Sequence, residues 1–166
     1  MLRGRDYLKI YLEDHFAGAT GGLELANRTA GANAGSVYGE PLQRIAGEID
    51  EDREALRAFM TALGFGPDRM KNAGAWAGEK VGRLKLNGHL TGYSPYSRVL
   101  EIEGLVLGVT GKLCLWRALR EVAPKEPRLD AEQLERLAER AELQRTELDE
   151  LRLAAVAEAV AAAQRG

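Results

Sequence analysis

Apolar residues recur along this chain at intervals of three and four, the period of a helix that buries one face. Leu8, Leu12, Phe16, Ala19, Leu23 and Ala26 form such a stripe and predict an amphipathic helix over Asp6–Arg28, ended by the small-residue stretch TAGANAG. Leu42, Ile45, Ile49, Leu56, Phe59 and Leu63 mark a second, closed by Gly64 and Gly66 of LGFGPD. A third, of intermediate length, is predicted over Pro67–Leu86 from Met70, Ala73, Ala77, Val81 and Leu84. The fourth, Pro95–Val122, is apolar nearly all the way round, which places it in the middle of the structure. The fifth opens on a capping box, Asp130 with Gln133, and a hydrophobic staple, Leu129 with Leu134, and runs without internal Gly or Pro to fray near Arg165. No β-alternating run and no fixed repeat interrupts this pattern. The expectation is one all-α domain over 1–166, an up-and-down helical bundle of four long helices plus one intermediate helix.

Glycine rows add a packing expectation. Gly18 and Gly22, Gly74, Gly78 and Gly82, and Gly104 and Gly108 each fall four apart on one helix. An interior glycine costs about 1 kcal/mol of helix stability relative to alanine, so such rows point to backbones in close approach, within the chain or between two copies. The alanine-rich end of the fifth helix leaves further apolar surface, which favours a homodimer.

Composition narrows the setting. The chain of 166 residues is 45% hydrophobic, enough for one real core. Cys114 is the sole cysteine, which excludes an internal disulfide or a multi-thiolate metal site and suits a cytoplasmic location. The N-terminus has no uninterrupted apolar run, and the most apolar segment, Val99–Leu119, carries Glu101, Glu103, Lys112 and Arg117, so neither a signal peptide nor a membrane span is expected. The net charge of −2 is unevenly spread: residues 1–66 hold 7 basic against 10 acidic side chains, 67–128 hold 11 against 6, and the remainder 5 against 9. The basic middle is flanked by opposite charge, which favours pairing inside the molecule. Negative charge overall and the lack of a recognised reader motif argue against nucleic acid as a partner.

The acidic stretch GEIDEDRE, Gly47–Glu54, is the first place to look for chemistry. At about 100° per residue, Asp50, Glu51 and Glu54 point away from the stripe of Ile45, Ile49 and Leu56, Glu48 lies at its margin, and Asp52 falls within it. A seam aspartate must find a hydrogen-bond or charge partner. His15 stands at matching height if the first two helices are antiparallel. Glu103, in a row with Val99 and Val106, and Gln144, between Ala141 and Leu148, complete an expected buried polar layer of His15, Asp52, Glu103 and Gln144. This arrangement resembles the ferritin-like bundles, whose cores carry inward carboxylates and histidines around two metal ions. The resemblance implies a Glu on each of two helices and Glu-x-x-His on the other two. The chain contains no Glu-x-x-His. No cofactor is therefore expected, and a metal ion, if present, would sit on the atypical set His15, Asp52 and Glu103.

Other candidates have bland readings beside sharper ones. Glu101 and Lys112 are charges on the apolar fourth helix and call for a salt-bridge network. Cys114 reads as a small apolar filler, and Trp76 and Trp116 as core or interface anchors. The stretch RLKLNGHLTGYSPYSR mixes cations with aromatics and opens onto the positive end of the fourth helix, so Ser94, Ser97 and Arg98 form a candidate site for a small anionic ligand. Ser-Pro before a helix is equally an ordinary cap. The sequence thus points to a bundle acting through binding or self-association, without catalysis. A metal-dependent enzyme built on a carboxylate and histidine site is the alternative.

Overall fold

The computed structural model of the chain describes residues 4–65 and 93–164. Among these the secondary structure is helical, with four long helices: α1 (Gly4–Ala32), α2 (Gly39–Ala62), α3 (Pro95–Val122) and α4 (Ala131–Ala163), plus a 3-10 turn at Ala123–Lys125. The predicted intermediate helix Pro67–Leu86 lies outside the described residues, as do Trp76 and His89.

Local chemistry sets the helix ends. Asn33 closes α1 by donating its Nδ2–H to Thr29 O at 2.8 Å. The turn to α2 then passes so close that a Cβ on Gly39 would lie 2.8 Å from Asn33 O, which reserves that position for glycine. At the far end of α2, Gly64 takes φ +75°. Phe65 N–H reaches Met60 O at 2.9 Å and Gly64 N–H reaches Thr61 O at 2.9 Å, a Schellman closure. Ser94 caps α3 by accepting from Ser97 N–H, with Pro95 in the first turn. Asp130 caps α4 by accepting from Gln133 N–H, and Leu129 and Leu134 of the staple are both buried.

Cross-helix contacts give the topology. Arg5 at the start of α1 donates to Leu63 O beyond the end of α2, so these two are antiparallel. Arg28 and Glu101 pair α1 with α3 antiparallel, as do Arg98 with Glu158 and Arg120 with Glu135 for α3 and α4. Arg44 with Glu147 and Arg140 with Glu51 set α2 antiparallel to α4. Hence α2 and α3 run parallel, and Phe59 beside Trp116, with ring centroids 6.2 Å apart, fits that register. The four helices run up, down, down, up, and α2 ends at the opposite end of the bundle from where α3 begins.

The core between them is one continuous cluster in which Leu12, Leu42, Ile45, Ile102, Leu119, Leu134 and Leu148 are fully buried. It departs from expectation on α3. That helix packs on both α1 and α4, yet Leu107, Gly108 and Cys114 are exposed, so one face is open and Cys114 is not a core filler. An all-round apolar helix carries no contrast from which its outward face can be read.

Candidate functional site

The open face of α3 borders a groove. Its walls are α1 and α3, its floor is α2, and its volume is about 340 Å³. Gly18 and Gly22 line it from α1, and Gly104, Gly108 and Gly111 from α3. Of these only Gly104 serves close packing, since a Cβ there would sit 3.1 Å from Leu25 Cδ2. At Gly18, Gly22, Gly108 and Gly111 a Cβ would meet nothing within 4 Å among the described residues. These four therefore front open space where the sequence suggests close helix contact, while the row Gly74, Gly78 and Gly82 lies outside the described residues.

The floor carries charge. Asp52, on α2, is 1% exposed. Its Oδ2 accepts from Lys112 Nζ of α3, and its Oδ1 from an Arg140 guanidinium N–H of α4. Lys112 Nζ also donates to Gln144 Oε1 at 2.6 Å, and Gln144 Nε2 donates to Glu48 Oε2 at 2.8 Å. Arg44 reaches Glu48 at 2.8 Å and Glu147 at 2.5 Å, and Arg140 reaches Glu51 at 2.7 Å. Three helices are thus tied by one chain of charge-assisted bonds, which are roughly twice as strong as neutral ones. Burial lowers the pKa of Lys112, and the Asp52 carboxylate opposes the shift without cancelling it. At Glu48 burial raises the pKa, but the bonds from Gln144 and Arg44 outweigh it and hold the carboxyl below its ordinary value.

The residues of the expected polar layer lie at different depths. Asp52 and Gln144 are each 1% exposed and lie two bonds apart through Lys112. His15 lines the same groove as Asp52, half-buried and edge-on to Tyr11 with ring centroids 4.5 Å apart, while the Asp52 oxygens are held by Lys112 and Arg140. Burial lowers the His15 pKa against the opposing pull of Asp14. Glu103 is a correction: its side chain is 51% exposed and sits 3.8 Å from Arg152 on the surface. The inward row of α3 is Ile102, Leu105, Val109 and Trp116, and Glu103 lies about 100° off it. The set His15, Asp52 and Glu103 therefore does not converge. Among the described residues no three of His, Cys, Asp and Glu are placed to hold a metal ion.

Ser94, Ser97 and Arg98 do come together at the start of α3, but their polar atoms are engaged within the molecule. Ser94 Oγ caps Ser97 N–H at 3.0 Å and lies 2.9 Å from Ser97 Oγ. Arg98 donates to Asn33 Oδ1 at 2.6 Å and to Glu158 Oε2 at 2.9 Å, with its guanidinium 4.4 Å from the Tyr38 ring centroid. Asn33 also donates to Tyr93 OH at 2.8 Å, and Tyr93 OH donates to Glu101 Oε2 at 3.0 Å, which Arg28 holds from the other side. Partial burial, with Glu101 beside it, pushes the Tyr93 hydroxyl up to about 12, so it remains a donor at neutral pH. This is a latch tying α1, α3 and α4 at the loop end.

Arg53, which lines the groove, and Arg140, which holds Asp52 from α4, are the residues that sequence reasoning passed over. Arg140 stands one turn before Gln144 on the same side of α4, so the inward reading of Gln144 held the signal. Arg53 gave none, because its guanidinium reaches outward to Asp50 and Glu54, both at 3.1 Å. Compared with known protein families, characterised proteins and solved structures, the chain has no match. No helix among the described residues is long and apolar enough to cross a membrane.

Proposed function

We propose that this protein is a non-catalytic, cytoplasmic helical bundle of ferritin-like architecture that binds a small, largely apolar ligand in the groove between α1, α2 and α3. The observation that carries the reading is the open space at Gly18, Gly22, Gly108 and Gly111. Each glycine weakens its helix by about 1 kcal/mol relative to alanine. No described side chain uses the room they leave, so a bound molecule is what gives them a role. A cavity of 340 Å³ with apolar walls and a few polar groups at one end falls within the range of small-molecule pockets. The directions of the four described helices, with α2 parallel to α3 and α1 parallel to α4, support the ferritin-like description.

The test uses the neutral dye N-phenyl-1-naphthylamine. Saturable fluorescence at one site per chain is expected, lost in Gly108→Leu and Gly18→Leu while the thermal midpoint does not fall. A dye that stays dark with the parent protein, or that binds both variants equally well, refutes the reading, whatever then fills the groove. Self-association is a second reading, favoured by exposed Leu153 and Val160 on the last turns of α4 and exposed Leu143 above them. Sedimentation at high micromolar concentration tests it, and a compact monomer throughout would remove it.

A further inference from the structure

Resting on that reading of the groove, we infer that its ligand is an amphipathic carboxylate, with the acid group at the Lys112 end of the floor and the apolar body along the glycine walls. An ammonium has three N–H groups. Those of Lys112 reach Asp52 and Gln144, leaving a third for a ligand. Trp116 lies one turn further along α3, lines the groove and is almost completely buried, and its indole Nε1–H has no hydrogen-bond partner among the described residues. Arg53 lines the groove beside Asp52, and its buried Nε–H is in the same condition.

Acceptors on the floor are already served, since each Asp52 oxygen receives a cationic donor. Asp14 is at the exposed rim, and His15 on the α1 wall, as a neutral imidazole, brings one donor and one acceptor and leaves the balance unchanged. The floor therefore carries a surplus of donors, and a buried donor without an acceptor is destabilising until something supplies one. A ligand ending in an amine would add to the surplus, whereas a carboxylate would relieve it with charge-assisted bonds. Size follows from the volume. A dry cavity of about 150 Å³ admits benzene, so 340 Å³ suits roughly a dozen carbon-sized atoms. Decanoate is a probe of that size.

Calorimetric titration of the full chain with decanoate, 1-decanol and decylamine, all of one chain length, separates head-group reading from apolar burial. Decanoate is expected to bind about tenfold tighter than decanol, the worth of one charge-assisted hydrogen bond, with decylamine weakest. Trp116→Phe, which removes the N–H and keeps a smaller aromatic ring, and Lys112→Met should each bring the decanoate-to-decanol ratio within about threefold. Circular dichroism checks that Lys112→Met is folded, and Trp116→Phe gives the answer if it is not. Equal binding of decanoate and decanol, both lost in Gly108→Leu, overturns the carboxylate and leaves the groove reading standing. A ratio unchanged in Trp116→Phe and in folded Lys112→Met also overturns it. If the neutral dye and all three decyl compounds fail to bind, both readings fall together.

Discussion

Deleting Asp52 should destabilise this protein more than any other single polar substitution on the groove floor, and the partner that feels the loss should be Lys112. The Asp52→Leu change takes a counter-charge from two cations. Breaking a buried ion pair by removing one partner costs about 3–5 kcal/mol. The share of each cation follows from its surroundings. The Lys112 side chain is 14% exposed and keeps only the neutral Gln144 oxygen, whereas that of Arg140 is 31% exposed and keeps Glu51. Lys112→Met should then cost about 2–3 kcal/mol, because Asp52 retains Arg140, and Arg140→Met about 1 kcal/mol, because solvent screens it. Making Asp52→Leu and Lys112→Met together replaces the pair with apolar side chains of similar bulk. The double variant should be less destabilised than the two singles added, by about 2 kcal/mol or more. Urea melts followed by helical circular dichroism give each value, provided the m-value is constant across the set. Asp52→Asn substitutes if Asp52→Leu does not fold, since total stabilities are only about 5–15 kcal/mol. The same cycle run with His15→Leu should be additive within about 0.5 kcal/mol. Additivity between Asp52 and Lys112, or stronger coupling to His15 than to Lys112, would refute the assignment.

Gly108→Ala and Gly18→Ala should each raise stability by up to about 1 kcal/mol, since the added Cβ meets open space; Gly39→Ala, whose Cβ would press on Asn33 O at 2.8 Å, should lower it, and thermal melts of the three distinguish these signs. Burial lowers the His15 pKa, so just below the ordinary histidine value the unfolded chain binds more protons than the folded one, and stability is lost as the pH is lowered across that window until folded His15 is protonated too. His15→Asn should flatten this slope between about pH 6.5 and its folded pKa, and urea melts showing the same slope in parent and variant would contradict the burial of His15. Asp130→Ala should cost about 1 kcal/mol through loss of the α4 cap, and Asp130→Ser should recover most of it; equal stability of all three chains would show that the cap contributes nothing.

What could be read from the sequence, and what could not, divides along a physical line. Helix faces were legible where apolar and polar residues contrast. On α2 the 100° projection turned Asp52 inward and put Asp50 and Glu51 on the surface, as found. The capping signals at Ser94 and Asp130 located two helix starts, because a cap is a contact between residues three apart. Partners across helices were not legible, for a projection gives the angle of a side chain but neither the stagger nor the parallel run of α2 and α3. Height alone pairs His15 with Asp52 in the sequence, whereas long cationic side chains reach Asp52 from neighbouring faces. An inward Glu103 is an error that α3 invites, because it offers almost no polar contrast to fix its phase.

The glycines show a deeper limit. A row of small residues reads the same whether it faces another helix or a cavity, and only the surroundings decide. Here Gly104 meets Leu25 while Gly108, one turn on, meets nothing described. That juxtaposition also bears on how the groove persists. Below it the Asp52 cluster joins α2, α3 and α4, and at the loop end the Arg28–Glu101–Tyr93–Asn33–Arg98 latch joins α1 to α3 and α4. Each tie spans helices that the groove would otherwise let collapse, since bare glycine walls offer little resistance to closing. Loosening either tie should therefore act on ligand binding as well as on stability. Filling the groove at Gly108 should act on binding alone, or stabilise the fold as it abolishes binding. Opposite signs of stability change for a common loss of binding are what an open, externally propped groove requires, and a surface hollow of no consequence would not produce them.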